Sequence, residues 1–137
     1  MMTSLSKLFC GITILTVPSI VYGGYYLLTI LSGYDKTPLT DFQKSMFRAG
    51  HAHAGVLVIL SLIAQLLIDH TLLSPVLELA LRIGFPLAAI LVSGGFFASA
   101  LGKEPKQPNG FIKILYTGAI LLVVSLIILS VGLIKSK

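Results

Sequence analysis

At 137 residues the chain has room for one domain, yet 55% of it is hydrophobic and only 11% is charged, a balance outside that of water-soluble domains. The net charge of +5 comes from basic residues scattered in ones and twos beside apolar runs, which excludes the clustered patch of a nucleic-acid-binding surface. A single cysteine, Cys10, excludes an intrachain disulfide and supplies no metal cluster by itself.

Runs free of Asp, Glu, Lys and Arg extend over Leu8–Tyr34, Ala49–Ile68, Ile83–Gly102 and Ile114–Ile134. Each provides the ~20 residues that a membrane-spanning helix needs. The expected fold class is therefore all-α: one integral membrane domain, a four-helix transmembrane bundle running up-down-up-down, with spans at approximately 8–32, 42–68, 76–101 and 111–134. The lipid bilayer is the first partner this implies, and a multi-pass location in a cell membrane follows.

The first segment opens like a signal peptide, with Lys7 before an apolar run, but the run continues through Tyr25, Tyr26 and Ile30. That exceeds a signal peptide's apolar region, so an uncleaved span is expected, kinked at Pro18 and anchored by Tyr22, Tyr25 and Tyr26. Gly33, Asp35 and Pro38 mark a turn. Thr40 followed three places later by Gln43 is a capping-box pattern, with Asp41 adding negative charge to the first turn. It predicts a second helix from Asp41 to about Ile68, roughly 40 Å long.

Projected at 100° per residue, this helix gathers Lys44, Arg48, His51, Gln65 and Asp69 on one side, with Gly55 one turn beyond His51. Polar groups within a span are expected to face protein or an internal cavity. The window Ala49-Gly50-His51-Ala52-His53-Ala54-Gly55 holds only glycine and alanine besides its two histidines. Gly50 and Gly55 leave room for close packing, and His53 projects about 160° away from His51, so the two cannot chelate one metal from a regular helix. His70 falls in the following hairpin.

Ser74-Pro75 reads as the cap and first residue of the third helix. Glu78 and Arg82, four apart, suggest an intrahelical ion pair or, alternatively, the cap of an internal polar network. Gly84, Ala88, Gly95 and Ser99 form a stripe of small residues, joined by Gly102, which predicts close contact with the second helix or a symmetry mate. Pro86 is an expected kink. After the polar loop Gly102–Gly110, the fourth helix is rich in Leu, Ile and Val and reads as the lipid-facing span. Lys36, Lys44, Arg48, Lys103, Lys106 and Lys113 fall on one side of the membrane, against Lys7, Arg82, Lys135 and Lys137 on the other, a bias that favours both termini outside.

The segment Gly50-His51-Ala52-His53-Ala54-Gly55-Val56 resembles the helix of haem-copper oxidase large subunits, nitric oxide reductases included, in which a His-x-His pair ligates two haems on opposite faces. The resemblance covers these residues only. By position it implies an active-site haem on His51 and an electron-transferring haem on His53. Arg48, one turn away, could pair with a propionate. The further histidines that hold copper in that family have no counterpart beyond His70, which excludes an oxidase centre. The chain as a whole is similar to small bacterial four-span membrane proteins, implying a bacterial plasma membrane.

No Walker motif, dinucleotide fingerprint, HExxH or nucleophile elbow occurs, which favours a non-enzyme. The leading expectation is a structural or accessory membrane component with a buried histidine-centred polar site, working as a homo-oligomer or within a larger membrane complex. The alternatives are a haem- or metal-binding protein using His51, His53 or both, and a proton-coupled or small-solute pathway along the polar stripe.

Overall fold

Side chains at each helix start and break determine where the spans lie in the computed structural model, which describes residues 2–136. Lys137, counted above among the flanking cations, lies outside the described residues. The first span consists of two helices, α1 (Ser4–Leu15) and α2 (Val17–Leu31), separated at Thr16. Pro18 stands in the first turn of α2, where its missing N–H removes no intrahelical bond. The hydroxyls of Thr16 and Ser19 cover the break, donating to the carbonyls of Thr13 (2.7 Å) and Thr16 (2.6 Å).

The capping box at Thr40 is present in full and starts α3 (Asp41–Ile68). Ser74 accepts from the Leu77 N–H and starts α4 (Pro75–Ser99) with Pro75 in its first turn. The fourth span is α5 (Ile112–Lys135). All four spans are long and apolar enough to cross a membrane, so the chain is a small polytopic membrane protein built as a four-helix bundle. Thr3 meets Asp69 and Leu73 covers Gly132, which places both ends of the described chain beside the α3–α4 connection.

The centre of the bundle is α4, packed along α5 on one side and α3 on the other. Gly84 and Gly95 of its small-residue stripe face α5, which corrects the expected contact with the second span. A Cβ on Gly95 would stand 2.5 Å from the Leu115 backbone nitrogen, and one on Gly84 would stand 2.8 Å from Ser125 Oγ. The partner helix answers with its own small residues: a Cβ on Gly118 would meet Val92 backbone at 2.8 Å, and one on Gly132 would meet Leu73 at 2.9 Å. Gly118, Ser125 and Gly132 recur every seven residues and so share one side of α5. Only the opposite side, with Ile120, Val123, Ile127 and Ile134, is exposed. The peripheral element is instead the first span, 11% buried against 44% for α4.

Ala64, Ile68, Leu81, Phe85 and Leu129 form the apolar core near the α3–α4 hairpin, and Leu57, Ala89 and Val92 continue it along the bundle. At the far end Gln43 does two tasks. Its Oε1 accepts from the Thr40 N–H (3.0 Å), and its Nε2 donates to the carbonyl of Ala100 (3.2 Å). The start of α3 is thereby tied to the end of α4. Gly102, at φ +136, makes the turn that follows.

Candidate functional site

Two polar constellations lie along α3, where it meets the first span and α4. The first is built on Arg82, in the second turn of α4 and 1% exposed. An arginine enclosed to this degree requires a counter-charge and hydrogen-bond acceptors. Its Nη2 donates to Asp69 Oδ1 at 2.7 Å, and its Nη1 donates to Ser6 Oγ at 2.8 Å and Gln65 Oε1 at 3.3 Å. Ser6 donates in turn to Asp69 Oδ1 at 2.6 Å. Thr3 adds its N–H to Asp69 Oδ2 (3.1 Å) and its hydroxyl to Oδ1 (2.9 Å).

Asp69, the residue that ends α3, thus collects donors from α4 and from the start of the first span. Burial pushes its carboxyl up, but the bonds from Ser6, Arg82 and Thr3 outweigh it and hold the group well below the usual carboxylate range. Glu78 lies 4.0 Å from the same guanidinium and is the lesser partner. The helical spacing suggested Glu78 as the mate of Arg82; the stronger bond goes to another helix.

Gln65 completes this constellation from α3. Pro86 has no N–H, so the carbonyl of Arg82, four residues earlier, lacks its helical donor. Gln65 Nε2 supplies one at 3.0 Å. This amide therefore satisfies the backbone and the side chain of Arg82 together.

The second constellation surrounds the histidines. His51 is half-buried, and its ring lies against the Gly23-Gly24 pair of α2: Cε1 and Nε2 are each 3.0 Å from where a Gly24 Cβ would be. Two adjacent glycines let an imidazole approach the facing backbone. His53 points to the other side, where its ring centroid lies 4.8 Å from that of Phe96 on α4. Its Nδ1 is 2.8 Å from the carbonyl oxygen of Ala49. Because a carbonyl can only accept, Nδ1 is the donor in this contact, and the residue is exposed.

Gly50 lies beneath Phe96 and Phe97, where a Cβ would meet their side chains at 2.9–3.1 Å. Gly55, expected to be a packing position, has nothing within 4 Å. Arg48 is exposed, and Lys44 pairs with Asp41 at 3.6 Å near the start of α3. Of the stripe read from the sequence, Gln65 and Asp69 come together in the buried constellation, while Lys44 and Arg48 stand outside it. His51 is fourteen residues from Gln65, about 21 Å along the axis, and Val58 and Leu62 occupy that side between them.

Sequence reasoning missed Ser6 as a member of the site and offered Arg82 only as an alternative to its pairing with Glu78. The available signal was Arg82 four residues before Pro86, a cation beside a carbonyl that needs a donor. No group of three or more metal-binding side chains occurs among the described residues. Compared with known proteins, the chain matches no family model, no curated protein and no solved structure.

Proposed function

We propose that this protein is an accessory component of a membrane assembly, receiving a partner helix on the N-terminal half of α3. One contrast along the open face of that helix carries the reading. Its C-terminal half presents Ile59, Ile63, Leu66 and Leu67, the bulky surface expected against lipid chains. Its N-terminal half presents Ala52 and the uncovered Gly55, flanked by exposed Arg48 and His53. Small residues permit close approach of a second backbone, and polar groups at that depth gain from a hydrogen-bonding neighbour. The partner is a second copy or a different subunit, and its role here is binding rather than chemistry.

Cross-linking in native membranes tests this reading. In a Cys10→Ser background, Ala52→Cys is expected to give a discrete adduct and Ile63→Cys none. A mass of two chains would identify a homo-oligomer, and a different mass another subunit. Absence of an adduct from both variants, with a bifunctional reagent of short span, would retire the proposal.

The orientation of His53 favours a second reading, as a haem ligand. An Nδ1–H donated to a carbonyl assigns the ligand role to Nε2 in the neutral ring, the arrangement that imidazole ligands commonly adopt. Protein purified from haem-replete cells should show a Soret band that His53→Ala removes; a spectrum without that band discards haem.

A further inference from the structure

A cavity of about 210 Å³, open on one side, lies where α1 breaks from α2 and is lined by the first span, α3 and α4. Ile12, Ile20, Val58, Ala89 and Ile90 make its walls mostly apolar, and Thr13, Thr16, Ser19 and Ser93 are its polar residues, of which Thr16 and Ser19 spend their hydroxyls on carbonyls of the first span. Thr13 and Ser93 are more than nine-tenths buried, and neither Thr13 Oγ1 nor Ser93 Oγ has a hydrogen-bond partner.

Hydroxyls on helices ordinarily bond back to a carbonyl one turn earlier. Elsewhere in this chain they do: Ser61 donates to Leu57 O at 2.7 Å and Thr117 to Lys113 O at 2.9 Å. Thr13 and Ser93, which line the cavity, make no such bond. A buried donor without an acceptor is costly, so an acceptor is expected from a bound molecule.

The size and lining define that molecule. An apolar cavity of roughly 150 Å³ accommodates a benzene ring, so this one has room for a single substituted six-membered ring. Water is a poor occupant, since each buried molecule wants about three hydrogen bonds and the walls are chiefly hydrocarbon. Ile12 and Ile90 on its rim are exposed on the outer surface of the bundle, so entry is from the lipid. We infer that the cavity binds a lipid-soluble ring bearing carbonyl oxygens, a quinone-type head group, with Thr13 and Ser93 as hydrogen-bond donors from opposite elements. This site is independent of the partner-helix reading.

The test uses the full chain in lipid nanodiscs with tetramethyl-1,4-benzoquinone as probe and tetramethylbenzene, which lacks the oxygens, as control. Saturable binding of the quinone at one per chain is expected above that of empty nanodiscs. Thr13→Val and Ser93→Ala should each weaken it by about tenfold, the worth of one hydrogen bond, and leave the control unaffected. Ala54→Leu, which fills the cavity from α3 and keeps both hydroxyls, should abolish binding of both rings. Quinone uptake equal to that of empty nanodiscs overturns the inference. So does equal affinity in the Thr13→Val, Ser93→Ala double variant, or water contacts at Thr13 and Ser93 in NMR spectra that persist unchanged at saturating quinone.

Discussion

Gln65 Nε2 lies 3.0 Å from the carbonyl oxygen of Arg82, the acceptor that Pro86 deprives of its helical donor. Removal of the amide would strand that carbonyl and take an acceptor from the guanidinium as well. Gln65→Leu is therefore expected to destabilise the protein by about 2 kcal/mol. Pro86→Ala restores an N–H one turn beyond Arg82, so it should recover part of the loss in the Gln65→Leu background and little in the native one. A double-mutant cycle of unfolding free energies in mixed micelles measures the coupling; additive effects would refute the compensation.

Arg82 and Asp69 are buried together, so the single variants should be worse than the pair. Arg82→Met or Asp69→Leu leaves an enclosed charge without its partner, at a cost of about 3–5 kcal/mol. The double variant should be clearly more stable than either single one. Unfolding in increasing SDS would show the order, and a double variant no better than the worse single would argue against a mutually dependent pair.

The depressed carboxyl of Asp69 predicts a direction with pH. A group whose folded pKa lies below its unfolded value stabilises above the unfolded value, ~4 for aspartate, and loses that contribution as pH falls through the folded one. The attachment of the first span should thus be insensitive to pH between neutrality and about 5 and weaken only in stronger acid. Asp69→Asn should remove the acid-dependent component. Thermal unfolding across this range is the measurement; an acid loss undiminished in the variant would place the titrating group elsewhere.

Gly95 meets the backbone of Leu115, a neighbour that cannot swing aside. Gly95→Leu should force α4 and α5 apart and prevent recovery of folded protein. Leu122→Ala, at a partly buried position, should cost about 1–2 kcal/mol and keep the fold. Size-exclusion profiles in mild detergent, followed by unfolding measurements on what remains, distinguish the two.

Thr40 and Gln43 made the start of α3 readable, because a cap is local and its partners are three residues apart. The four spans were readable from uninterrupted apolar length. Pairing of the helices was less so. Gly118, Ser125 and Gly132 are seven residues apart in a background of Leu, Ile and Val, and their common side emerges only with a neighbour to fill it. Glu78 stands four residues from Arg82 and drew attention from Asp69, whose advantage depends on how the α3–α4 hairpin closes. Gly23 and Gly24 gave no sign by themselves of facing His51, since that contact belongs to two spans at once.

Ser6 and Arg82 are separated by 76 residues yet share a hydrogen bond. Synthesis proceeds from the N-terminus, so the first span reaches the bilayer long before the guanidinium that will fasten it has been made. Until α3 is in place Thr3 and Ser6 lack Asp69, and until α4 has folded back along it Ser6 lacks Arg82. The order of translation therefore makes the fastening of Ser6 to Arg82 a late event, gated by the closing of the hairpin.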